Sequence, residues 1–255
     1  MSGPWAQEGF RARLAWGPRG ARAAAARGDL LVVVDVLSFS TAAAVAVSRG
    51  AAVLPCPPGP AGADLARARG AHLAVKREEV PARGRFSLSP GSLRGLEPGE
   101  TLVLPSPNGA ACAALAREGA REVLTAGLVN AAAVAAWVQA RLAPAGAVTV
   151  LACGERWPEP DPADGTLRVA VEDLLGAGAV LAGLPAAWRS PEAEAAVGAF
   201  LHLRSGLARA LLGAGSGREL VERGFADDVQ EAAALDALSC VPRLSGALLC
   251  AAEAA

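Results

Sequence analysis

Short apolar runs recur along the chain, and segments of helical periodicity lie between them. Runs at residues 30–37, 52–56, 72–75, 101–104, 122–126 and 147–153 predict strands, the first of them buried. Residues 10–16 alternate apolar and polar, which predicts an early, partly exposed strand. Segments 40–49, 63–69 and 130–142 predict helices, the first with Ser40 and Thr41 at its start as caps. The loop PSPNGAACAALAREG leads into another helix. Helices are then predicted over 167–184, 191–212, 217–223 and 226–238, before a last strand near 244–251. Two stretches lose periodicity. KREEVPARGRFSLSPGSLRGLEPGE reads as a long, turn-rich loop of a kind that is usually functional or mobile, and GERWPEPDPADGT as a polar loop.

Strands alternating with helices imply right-handed crossovers. The expected fold is therefore α/β, a three-layer sandwich with a largely parallel or mixed central sheet, helices on both faces and a helical C-terminal third. No repeat and no clear linker is visible, so residues 1–255 are read as one α/β domain, with room for two subdomains around the site.

Composition narrows the function. A hydrophobic fraction of 53% supports a sizeable core, and a net charge of −1 argues against a nucleic-acid partner while allowing a single anionic substrate. Lys76 is the only lysine, so arginine is the default base here and no arginine is functional by type alone. Five scattered cysteines without a C-x-x-C pair fit reduced thiols in a cytoplasm. The first residues lack the apolar core of a signal peptide, and no apolar run approaches membrane-spanning length. A homodimer is compatible with the sequence. His72 and His202 are the only histidines and neither has a plausible partner beside it, which speaks against a histidine zinc site or a Ser-His-Asp triad. There is no phosphate-binding P-loop, and the glycines at 213–217 follow a helix where a dinucleotide fingerprint needs a strand.

Ligands of open α/β sheets bind beyond the carboxyl ends of the strands. There the sequence places Asp35, Ser38, Ser40 and Thr41, then Ser106, Asn108 and Gly109, then Asn130, then Gly154 and Glu155, with Glu172 and Asp173 in the first turns of the next helix. This oxygen-rich set suits Mg²⁺ or another hard cation. Asp35 ends the apolar run Leu30–Val34, where its ionisation is costly unless a cation or the N–H groups of the next helix compensate. The helix starts after Phe39 and after Asn108-Gly109 offer free N–H groups and a positive dipole end for a phosphate or sulfonate. Each feature also has a plainer explanation. Asp35 can be a helix cap, Glu172 and Asp173 ordinary first-turn acids, Asn108-Gly109 a turn, Arg77 a solvated side chain, His202 a packing residue and Cys153 a buried thiol.

The order of these features resembles the 2-phosphosulfolactate phosphatase family from about residue 29 to residue 251. The resemblance is carried by VVVDVLSFST, by Ser89-Pro90, by PNG at 107–109, by LVNAAAVA at 128–135, by the acidic pair in VEDLLGAGAV and by the tail SGRELVERGFADDVQEAAALDALSCVP. No one landmark is specific; six in order are hard to produce by chance. The resemblance implies a Mg²⁺-dependent phosphatase of coenzyme M biosynthesis, converting 2-phospho-3-sulfolactate to 3-sulfolactate and phosphate, or acting on a related small phosphorylated hydroxy acid. Asp35, Ser40, Thr41, Arg77, Asn108, Gly109, Asn130, Glu172, Asp173 and Asp228 stand at matching positions. The implied catalytic set is Asp35, Asn108 and Arg77. Ser40, Thr41, Ser89, Gly109 and Asn130 would bind substrate, and Asp35 with Glu172 or Asp173 would hold Mg²⁺. Arg77 would face the second anionic group, and the loop around Ser89 would close the site.

Four departures from the family pattern matter. Ser38 stands where the family has an arginine. Lys76 replaces an acid before Arg77, Leu88 precedes Ser89-Pro90, and Ser106-Pro107-Asn108-Gly109-Ala110 has lost hydroxyls. These leave a second expectation, a weakened or inactive relative that binds a small anionic ligand. A nucleotide-dependent or redox enzyme is disfavoured by the missing motifs.

Overall fold

A computed structural model describes residues 3–161 and 165–253. The apolar runs form strands: β1 (Ala12–Trp16), β2 (Leu30–Val34), β3 (Ala52–Cys56), β4 (His72–Leu73), β5 (Thr101–Pro105), β6 (Glu122–Ala126) and β7 (Val148–Ala152). The stretch expected as a polar loop instead makes a hairpin, β8 (Glu155–Asp161) with β9 (Gly165–Arg168). The last expected strand is likewise a hairpin, β10 (Pro242–Ser245) with β11 (Leu248–Ala251), turned at Gly246 with φ 60. Gly246 takes this left-handed conformation without a Cβ penalty.

Among the described residues, nine strands form one sheet in the order β1-β7-β2-β6-β10-β11-β3-β5-β4. The first four are mutually parallel, as are the last three. The β10–β11 hairpin lies between the groups, joined antiparallel to each through one residue pair, Arg243 with Leu124 and Leu249 with Val53. Three successive antiparallel junctions make β2 and β5 run in opposite directions. In a flat sheet these strands would lie roughly 24 Å apart with their carboxyl ends on opposite edges. Yet the Gly109 N–H, just past β5, donates to Asp35, just past β2, at 2.7 Å. The sheet therefore coils strongly through the hairpin, and the two parallel halves bring their carboxyl ends together at Asp35. One shared sheet edge, as expected for a simple open sheet, is not how the site is assembled.

Helices cover the sheet: α1 (Gly17–Ala26), α2 (Phe39–Ser48), α3 (Ala61–Arg69), α4 (Pro90–Leu93), α5 (Gly109–Ala116), α6 (Ala131–Arg141), α7 (Val171–Ala182), α8 (Pro191–Leu203), α9 (Leu207–Gly213), α10 (Gly215–Glu222) and α11 (Ala226–Ala232). The sequence pattern does not reveal α1. Its buried positions, Gly17, Ala21, Ala24 and Ala25, lie opposite Arg19 and Arg22, but they are small and weakly apolar. Strong helix propensity and Pro18 in the first turn account for it. The helix expected over 191–212 is interrupted by a 3₁₀ turn, Arg204–Gly206, and the one expected over 226–238 stops at Ala232. The long loop of residues 76–100 carries a 3₁₀ turn, Arg77–Glu79, and α4. Helices α7 and α8 cross closely at Gly178, where a Cβ would collide with the Ala196 carbonyl.

The outer edge of β1 is closed to further strands. The Gln7 amide donates to the Leu14 carbonyl and accepts from its N–H, while the Ala12 carbonyl accepts from the Ser190 N–H. No helix among the described residues is long and apolar enough to cross a membrane.

Candidate active site

Strand β2 stops at Val34 because the chain must turn there into α2. Asp35 sits in that turn, only 5% exposed. Its Oδ1 accepts the Phe39 N–H at 3.2 Å, and its Oδ2 accepts the Gly109 N–H at 2.7 Å and the Ser106 hydroxyl at 3.3 Å. One carboxylate thus ties the starts of α2 and α5, which belong to opposite halves of the sheet. Burial pushes its pKa up; the N–H donors oppose this, and the charge of Glu172 adds to it.

Ser40 and Thr41 do not cap α2. The Ser40 hydroxyl accepts from the Asp35 N–H at 3.0 Å and donates to the Val33 carbonyl at 3.1 Å. The Thr41 hydroxyl donates to the Val36 carbonyl at 2.8 Å. Both side chains shape the turn that holds Asp35. Asn130 is fully buried and also serves the backbone. It accepts from the Gly127 N–H at 2.9 Å and donates to the Cys240 carbonyl at 3.1 Å, pinning the end of β6 to the C-terminal segment.

Asp173 spans the ends of two neighbouring strands. Its Oδ1 accepts the Val36 N–H and its Oδ2 the Gly154 N–H, each at 2.8 Å. Burial, then the charges of Asp35 and Glu172, drive its pKa well up. Glu172 beside it is also buried, and its Oε1 has no hydrogen-bond partner among the described residues. Such an orphaned polar atom is costly and calls for a partner.

Glu155, at the root of the β8–β9 hairpin, completes the acidic group. It accepts from the Asn108 amide at 2.9 Å. Burial first, then the charges of Asp35 and Glu172, raise its pKa to about 7, against the opposing pull of Asn108 and Arg168. Asn108 is oriented from its other end by Arg156, whose Nε donates to Oδ1 at 3.2 Å and whose Nη2 donates to the Pro107 carbonyl at 2.7 Å. Sequence reasoning put Glu155 at a strand end but gave it no role, and it passed over Arg156. Both lie in a proline-rich polar stretch with no strand periodicity. The only signal was position, directly after a buried strand.

A second cluster adjoins the first through the same turn. Arg77 is not solvated. Its Nε donates to Asp228 at 2.7 Å and its Nη2 to the Ser38 hydroxyl at 2.5 Å, in an ion pair whose side chains are largely buried. The Ser89 hydroxyl donates to the other Asp228 oxygen at 2.5 Å. The long loop is therefore anchored to α11 by Asp228, and Ser38 accepts a bond from the arginine that remains.

Gly109 is the tightest point of the site. A Cβ there would strike the Phe39 ring and stand 2.7 Å from Asp35 Oδ2. Gly109→Ala is expected to lower stability by about 2 kcal/mol and to cut activity sharply. Gly91→Ala, where a Cβ meets nothing within 4 Å, should leave both near the parent values. Urea denaturation and a rate assay on the pair check this.

The sequence profile described as 2-phosphosulpholactate phosphatase matches residues 18–247. A curated protein of Deinococcus radiodurans, "Probable 2-phosphosulfolactate phosphatase", is 32% identical over 233 residues, covering 85% of this chain and 88% of that protein. The match takes in both halves of the sheet, the Asp35 turn, the acidic pair on α7 and Asp228. The chain belongs to the 2-phosphosulfolactate phosphatase family.

Proposed function

We propose that the protein hydrolyses the phosphate monoester of a small hydroxy acid, 2-phospho-3-sulfolactate or a near relative carrying a second anionic group, with Mg²⁺ as its cation. One observation carries this reading: a buried oxygen of Glu172 lacks a partner among the described residues, and the charge of Glu172 acts on both Asp35 and Glu155, pushing their pKa values up. Among the described residues no three His, Cys, Asp or Glu side chains form a ready-made metal cage. Mg²⁺ needs no such cage: it commonly takes one or two carboxylates and completes its shell with water and substrate phosphate oxygens. Asp35 and Glu172 would hold it, since theirs are the acidic charges that act on Glu155, while Asp173, expected among the ligands, would serve as a strut between Val36 and Gly154. When bound, the cation would supply positive charge to the phosphoryl oxygens.

The chain's own groups would do the rest. Glu155, whose pKa burial and the neighbouring acids raise to about 7 in the metal-free protein, would be the acid–base group for the leaving alkoxide oxygen. Asn108 would fix the Glu155 carboxyl in place. Arg156 and Arg168, both on the hairpin, would make the rim cationic towards an anionic substrate.

A second reading, binding of a small anion without turnover, also has an observation in its favour. The Gly109 N–H and most of the Arg77 guanidinium, both expected to grip the substrate, are already satisfied by Asp35 and by Asp228 with Ser38. Release of phosphate from a panel of phosphorylated 2-hydroxy acids, with Mg²⁺ and with chelator, separates the two. Turnover only with Mg²⁺ is the expected result. Saturable binding by calorimetry without phosphate release from any member would favour the second reading.

A further inference from the structure

A substrate with two anionic groups needs a cationic anchor apart from the place where its phosphate reacts. Three arginines touch elements of the site, and two of them are committed. Arg77 is ion-paired with Asp228 and donates to Ser38. Drawing it away would leave a largely buried carboxylate without its partner. Arg156 donates to Asn108 Oδ1 and to the Pro107 carbonyl. Arg168 is held differently. It stands directly opposite Glu155 in the β8–β9 register, so the two side chains leave the hairpin on one face. They turn apart there. The Glu155 carboxyl accepts from Asn108, while Arg168 Nη2 donates to the Ser216 hydroxyl at 3.3 Å. Ser216 is buried and neutral. A Cβ on Gly215 would stand 3.2 Å from Arg168 Nη1, so the glycine leaves the guanidinium room against the start of α10. That is the helix end at which a cation is disfavoured. Among the described residues this half-buried guanidinium thus has a hydroxyl, and no carboxylate, as its hydrogen-bond partner. It stands beside the residue proposed to serve the leaving oxygen.

We propose that Arg168, and not Arg77, determines specificity by holding the substrate's second anionic group, a sulfonate or a carboxylate, with Ser216 fixing the guanidinium from behind. The planar fork suits either group. The inference rests on the phosphatase reading for the identity of the substrate. Three esters test it: 2-phospho-3-sulfolactate, 2-phospholactate, which lacks the sulfonate, and 2-sulfoethyl phosphate, which lacks the carboxylate. Arg168→Ala should lower kcat/KM for the first by about tenfold or more, chiefly through KM. One truncated ester should be spared, and the group it lacks is the one that Arg168 holds. Arg168→Lys, with the charge but not the fork, should fall between. Effects through Glu155 or through the fold reach all three esters alike and cancel in the ratios, and Arg77→Ala should act in that unselective way. Equal losses on all three with Arg168→Ala overturn the inference, as does a selective loss with Arg77→Ala alone. Calorimetry with 3-sulfolactate and with lactate keeps the two readings apart. A parent that releases no phosphate, yet binds one of these at least tenfold more tightly than Arg168→Ala does, ends the phosphatase reading and upholds the contact. A parent that turns over while Arg168→Ala loses no selectivity does the reverse. Absent binding in a parent without turnover, or binding indifferent to Arg168, overturns the contact.

Discussion

Asp35→Asn should lower Mg²⁺-dependent kcat/KM by about 10³-fold or more, while the protein keeps its fold. The size follows from what a cation and aligned donors contribute to phosphoryl transfer, several kcal/mol. The asparagine matches the aspartate in shape and can still accept the Gly109 N–H, which lies at 2.7 Å. It cannot accept from Gly109 and Phe39 on opposite ends at once, a loss of about 1–2 kcal/mol. Removing a charge that burial disfavours offsets part of that. Net stability should thus move by less than ~2 kcal/mol. Asp173→Asn makes the useful comparison: its two oxygens brace Val36 and Gly154 as those of Asp35 brace Phe39 and Gly109, so a similar stability change should come with a smaller direct effect on chemistry. Rate assays across a Mg²⁺ titration, paired with thermal melts, measure both. Near-parental turnover in Asp35→Asn would remove Asp35 from the centre of the mechanism.

The second large effect concerns pH and the cation together. Freed of divalent ions, the protein should lose stability as pH rises from 5 to 8. Glu155 is displaced from 4.5 to about 7, and Asp35 and Asp173 are raised as well. A carboxyl with a raised folded-state pKa holds its proton more tightly folded than unfolded. Its contribution is full below the unfolded value near 4.5 and fades as pH climbs through about 7. For Glu155 alone the displacement corresponds to about 3 kcal/mol. Saturating Mg²⁺ at pH 8 should recover most of the loss, because a bound cation favours the ionised acids. Glu155→Gln should flatten the metal-free profile. Melting temperatures with chelator and with Mg²⁺ test this without any substrate. A flat chelator profile, or no Mg²⁺ effect at pH 8, would count against a cation held by this group.

Much of the framework was legible in the residue pattern. The runs 52–56 and 122–126 became β3 and β6 with the expected bounds, since a short apolar run flanked by turn residues has few alternatives to a buried strand. Asp35, Glu172 and Asp173 could be singled out because charge is rare beside such runs. Other features were hidden for identifiable reasons. The face that α1 buries is alanine and glycine, small and weakly apolar. The β8–β9 arm has no alternation, and its prolines speak against a strand. Arg77 reads as solvated because its partner, Asp228, is 151 residues away.

By itself the sequence determined most strands of the large sheet, most of the helices, and that Asp35, Glu172 and Asp173 stand near strand ends, because periodicity and propensity are local properties of a chain. The tertiary structure alone decided that the two parallel halves run oppositely and still meet at Asp35. It also decided that Glu155 joins the acids, and that Arg77 turns to Asp228 and Ser38. These outcomes depend on how a C-terminal hairpin attaches to two distant strands and coils the sheet between them, a contest among long-range pairings that no local pattern encodes.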